Sequence, residues 1–136
     1  MRKKIEIQIN DSKEEFKFGC CATVAISAAF NMNAHSIAVV LRLLKFKEWY
    51  DGLTFFQIKR LINVLDPVGR WTYVPNNAQV RYNQLIILFK DKSLIVMFSE
   101  HLSYVEKGQI YDSYLINALD REGWINAKPT GWWIKP

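Results

Sequence analysis

Apolar and polar residues alternate from Ile5 through Ile7 to Ile9, the period of a half-buried strand. The polar run DSKEEFK follows and predicts a loop leading to Phe18 and Gly19. From Cys21 to Phe30 the pattern changes to helical spacing, with Ala22, Ala25, Ile26, Ala29 and Phe30 on a repeat of three and four. So many small side chains predict a central, mostly buried helix that other elements approach closely. After a break at 31–34, a second helix is expected over about Ser36 to Trp49, turning Ile37, Val40, Leu41 and Leu44 inward and ending at Asp51-Gly52. Thr54-Phe55-Phe56-Gln57 reads as a capping box, in which the Thr hydroxyl and the Gln amide satisfy reciprocal backbone donors. Behind it Phe55, Ile58, Leu61, Ile62 and Leu65 mark a third helix, which Asp66-Pro67 stops.

The second half turns toward strand patterns. Trp71 to Val74 predicts a short strand, followed by the loop PNNAQ. Tyr82 to Phe89 reads as a short fourth helix, although its run LIILF also suits a buried strand, and periodicity does not separate the two. LIVMF from Leu94, Leu102 to Val105, Gln109 to Asp112 and the closing Trp-rich segment are all strand-like. Helices first and sheet afterwards predict an α+β fold, with the 136 residues forming one domain, 1–136.

Composition narrows the function classes. Half of the residues are hydrophobic and 14% aromatic, which argues against a disordered chain. No apolar run approaches the ~20 residues of a membrane span, and the alternating start is unlike the continuous core of a signal peptide, so a cytoplasmic protein is expected. Adjacent Cys20 and Cys21 do not staple distant segments. Without C-x2-C or H-x3-H spacing, neither a metal site nor a cofactor is expected. The net charge of +5 is spread over Lys and Arg at 2, 3, 4, 42, 45, 47, 59 and 60, a scatter read as solvated faces rather than a nucleic-acid surface. His35, beside Asn33 and Ser36, reads as a surface or capping residue.

The stretch HLSYVEKGQIYD, His101 to Asp112, carries the candidate chemistry. With Lys107-Gly108 as a two-residue turn, Glu106 pairs with Gln109, Val105 with Ile110 and Tyr104 with Tyr111. His101, Ser103 and Asp112 then share one side of the sheet, expected to turn toward the cysteine helix, with His101 and Asp112 as diagonal neighbours. A three-residue turn would reverse that parity. A cysteine attacks a carbonyl as its thiolate; an imidazole takes the thiol proton, and a carboxylate on the other ring nitrogen orients it. A helix start adds partial positive charge that favours the thiolate. Each residue also has an inert reading: a small core cysteine, a strand histidine, a turn aspartate. Ser103 either supports Asp112 or is a plain strand serine. Trp124, Trp132 and Trp133 either shield the histidine and aspartate from water or pack the core.

These residues resemble the small papain-like cysteine peptidases of bacteria and phages. Those proteins carry a helix start of the type NCVIRAL and a histidine strand of the type H-x-x-x-V-x-x-G-x-x-x-D. CCATVAI at 20–26 and HLSYVEKGQIYD at 101–112 match by pattern, with Val105, Gly108 and Asp112 kept and Gly52-Leu53-Thr54 similar to the family's glycine-threonine turn. Bacteriocin-processing peptidase domains and ovarian-tumour-type deubiquitinases are similar more loosely. The resemblance implies a papain-like fold, with a central cysteine helix packed on a C-terminal antiparallel sheet. It also implies a cysteine hydrolase with Cys21 as nucleophile, His101 as base and Asp112 as orienting carboxylate, acting on a protein or peptide. Cys20 stands as the alternative nucleophile. The rival reading is a catalytically silent papain-like binding module, such as a phage protein that binds a host protein. It draws on Glu100 before the histidine and on Glu14 and Glu15, whose charge would oppose a developing oxyanion. Oligomeric state is left open.

Overall fold

A computed structural model of the chain describes residues 21–46, 53–99, 101–111 and 126–136. The strand predicted at 5–9, the DSKEEFK loop, Cys20, Glu100, Asp112 and Trp124 lie outside them. Four helices and five strands are described: α1 Cys21–Phe30, α2 Ala34–Leu43, α3 Phe55–Leu65, β1 Thr72–Pro75, α4 Tyr82–Leu88, β2 Ser93–Met97, β3 Leu102–Glu106, β4 Gln109–Tyr111 and β5 Gly131–Lys135. The strands form one antiparallel sheet in the order β1-β5-β2-β3-β4. The class is α+β.

Strand alternation gives the sheet two apolar faces. One gathers Ile95, Leu102, Tyr104, Tyr111 and Trp133 against α1, α2 and α3. The other gathers Leu94, Val96, Val105 and Trp132 against Tyr82 and Leu85 of α4. Helices therefore cover both faces, whereas the order of patterns along the chain suggested that helices simply precede a sheet. β1 also comes before α4, and β5 inserts between β1 and β2, so the sheet order depends on long-range closure. No single helix among the described residues is long and apolar enough to cross a membrane.

α1 lies at the centre. Every residue from Ala22 to Ala28 is buried, because small side chains on all sides let β3, β2 and α2 approach the same helix. α2 starts with the Asn33 side chain accepting the Ser36 N–H at 2.8 Å. It ends at Leu43, short of the predicted Trp49. Lys45 adopts φ +61°, its N–H donates to the Arg42 carbonyl at 3.0 Å, and the Phe46 N–H donates to the Leu41 carbonyl at 3.2 Å. This is the two-bond Schellman stop. A lysine occupies the left-handed position where glycine is usual, so the sequence lacks the customary signal. Residues 47–52 lie outside the description.

α3 carries the expected capping box: Gln57 N–H donates to Thr54 Oγ1 at 3.2 Å, and Thr54 N–H donates to Gln57 Oε1 at 2.9 Å. Ile58, Leu61 and Ile62 are buried along the predicted stripe. At its end the Asp66 carboxylate accepts the Trp71 N–H at 2.8 Å. This holds Trp71 in the core beside Phe30, and β1 begins one residue later than predicted. Tyr82–Leu88 is helical, as Tyr82 and Leu85 are buried while Ile87 and Leu88 are exposed.

The β3–β4 hairpin has the predicted register, with Tyr104 opposite Tyr111, Val105 opposite Ile110 and Glu106 opposite Gln109. Lys107 and Gly108 both take positive φ, +48° and +80°, the type I′ geometry that matches the twist of two-residue hairpins.

Candidate active-site cleft

The β2–β3 connection sets the histidine. Beyond the closing pair Met97–Leu102, the Phe98 N–H donates to the His101 carbonyl at 2.8 Å. His101 is 3% exposed, and its ring lies 6.1 Å from that of Phe98 at an interplanar angle of 34°. On the helical side, Cys21 is a half-buried free thiol in the first turn of α1.

Cys21 and His101 line the same cleft, of about 570 Å³. Leu53, Thr54 and Ile58 from the start of α3 form one part of its wall, and Met97, Phe98, Ser99 and Leu102 of the β2–β3 hairpin form another. The elements that bring these groups together are α1 packed on β3 and the capped start of α3. Among the described lining residues, Cys21 and His101 are the ones that carry a thiol and an imidazole.

The other predicted residues divide. Asp112 lies outside the described residues. Ser103 does not face α1: the face turned to α1 carries Leu102 and Tyr104, and Ser103 lies on the α4 face. There its hydroxyl shares a 2.5 Å hydrogen bond with the Tyr82 hydroxyl. The expectation that the whole His101-Ser103 side turns toward the cysteine helix is thus corrected, because His101 precedes the strand and meets the cleft at the sheet end. Trp132 and Trp133 pack in the two cores and do not line the cleft. His35 is exposed, and the cap beside it comes from Asn33.

Phe98 is the residue that sequence reasoning overlooked. The strand-like runs LIVMF and Leu102 to Val105 flank three residues; in the structure the strand ends at Met97, and Phe98, just past it, stands opposite His101. That spacing was the available signal. Asn76 was also missed. It is buried in the PNNAQ loop, where its Nδ2 donates to the Val80 and Pro129 carbonyls, both at 2.8 Å, and its Oδ1 accepts the Val80 N–H at 2.9 Å.

Comparison of the chain with protein-family models, with curated proteins and with solved structures finds no match.

Proposed function

We propose that the chain is a papain-like cysteine hydrolase, cleaving an amide, thioester or isopeptide bond in a protein or peptide. The observation that carries this reading is the shared cleft of Cys21 and His101, with the thiol in the first turn of a helix. In the proposed reaction His101 takes the Cys21 proton, and the thiolate adds to the carbonyl carbon, moving an electron pair onto oxygen. The Cys21 backbone N–H at the helix start helps bind that oxyanion. The tetrahedral adduct collapses, the bond to the leaving amine breaks, and the imidazolium gives that amine its proton. His101 then deprotonates water, which attacks the thioester and releases the acid and the thiol. Asp112, next in sequence after β4, is assigned as the orienting carboxylate on the sequence pattern alone.

An electrophilic thiol probe built on a peptide tests this reading, with the labelled site located by tandem mass spectrometry. Labelling at Cys21, abolished in Cys21→Ala and kept in Cys20→Ala, is the expected result. Loss of labelling only in Cys20→Ala would move the nucleophile by one residue, and no labelling above that of a denatured control would favour the silent binding module.

A further inference from the structure

We infer that Phe98 is a positioning residue for the His101 imidazole, held in place from the far side of the sheet by the Tyr82–Ser103 pair. The inference rests on the hydrolase reading of the cleft and adds to it the element that fixes the base.

The observations form one packed column. Ser103 and Tyr82 share a hydrogen bond of 2.5 Å within the α4-side core, where both are buried. The Tyr82 ring meets the Phe98 ring edge-on, with centroids 5.2 Å apart and planes at 64°. Phe98 in turn lies 6.1 Å from the His101 ring, tilted by 34°, and its N–H holds the His101 carbonyl at 2.8 Å. Phe98 is thus buried between Tyr82 and His101 while also reaching the cleft wall. Backbone and ring of a single residue constrain the histidine together.

The physical consequence is selection of one imidazole orientation. A histidine at a hairpin mouth has two side-chain torsions to fix, and a flat ring packed beside it removes orientations that a flexible aliphatic chain would permit. Proton transfer needs the ring nitrogen within hydrogen-bond reach of the thiol, so a small rotation is felt strongly in rate. The Tyr82 hydroxyl is the remote anchor, because its bond to Ser103 fixes the ring against which Phe98 packs. α4, which contributes no lining residue to the cleft, thereby governs the base through two aromatic contacts.

The test is the pH dependence of Cys21 alkylation by iodoacetamide in the intact chain, comparing wild type, Phe98→Leu, Phe98→Tyr and His101→Gln, with near-ultraviolet circular dichroism to verify packing. Wild type should react on an acidic limb that His101→Gln removes. Phe98→Leu should lose about 10- to 100-fold of that acidic-limb rate, the scale of a misplaced catalytic group, and Phe98→Tyr should restore it. A merely structural role for Phe98 would lower the unfolding midpoint without changing the profile. An unchanged profile in Phe98→Leu, with the limb still lost in His101→Gln, overturns the positioning role alone. A profile that His101→Gln leaves unaltered overturns the hydrolase reading and the positioning role with it.

Discussion

Cys21 and His101 line one cleft although α1 and the β2–β3 hairpin are distant along the chain. Their placement on one cleft is a product of packing rather than of any local motif. The helix, buried from Ala22 to Ala28 and rich in small residues, lets β3 approach closely, and the hairpin beyond Met97–Leu102 presents the histidine at the end of the sheet.

The cap at the cleft wall should be measurable as stability. Thr54→Ala removes the acceptor of the Gln57 N–H and half of the capping box, and should lower unfolding free energy by about 1 kcal/mol in a urea titration. Thr54→Ser keeps the hydroxyl and should stay close to wild type.

Lys45 offers the opposite sign. It sits at φ +61° in the Schellman stop of α2, a conformation that a β-carbon disfavours. Lys45→Gly should therefore raise stability by about 0.5–1 kcal/mol, the ~1–2 kcal/mol cost of a β-carbon at such a position less the ~0.5–1 kcal/mol that glycine's chain entropy costs. A thermal melt that moves downward would show that the lysine side chain contributes more than its backbone strain removes.

Asn76 ties the 75–81 loop to the segment before β5. Its amide donates to the Val80 and Pro129 carbonyls, and its oxygen accepts the Val80 N–H. Asn76→Asp is nearly isosteric but replaces both donor bonds with a carboxylate facing two carbonyls. The expected loss is about 2–3 kcal/mol by chemical denaturation, in the range for buried polar groups left unsatisfied.

Alkaline pH should destabilise the fold through Tyr104 and Tyr111. Burial, followed by the hydrogen bond that Tyr104 donates to Glu106 at 2.7 Å, raises the Tyr104 phenol well above its ordinary range; burial and the Glu106 charge raise Tyr111. Unfolded phenols lose their protons near pH ~10, whereas the folded ones hold them to higher pH. The stabilisation is complete below about pH 10 and falls as pH rises toward the folded values. Urea midpoints should thus decline above about pH 10, and Tyr104→Phe should flatten that decline.

What the chain discloses on its own is mostly local. The capping box at Thr54, the extent of α1 and the type I′ hairpin at Lys107-Gly108 are each set by residues within a few positions of one another, and each is readable as a pattern. The end of α2 is also local, but a lysine in a glycine's conformation conceals it. α4 was ambiguous because LIILF is apolar throughout; only the sheet decides that Leu85 is buried and Ile87 is not. The insertion of β5 between β1 and β2, and the position of Ser103 on the α4 face, require the assembled sheet. The candidate nucleophile and base were legible as residue types in a pattern. The aromatic column beside His101 was not, since Tyr82, Phe98 and Ser103 carry no motif.

The most direct test of the proposed thiol–imidazole pair is the iodoacetamide alkylation rate of Cys21 at about pH 6, in wild type against His101→Gln, with Cys20→Ala as background to isolate the single thiol. An ordinary thiol is almost wholly protonated and slow at that pH. A pair acting together predicts a wild-type rate at least ~10-fold above that of His101→Gln, as an imidazolium beside the sulfur keeps the reactive thiolate populated. Equal rates in the two proteins would contradict the pairing and leave Cys21 as a core cysteine at the edge of a cleft.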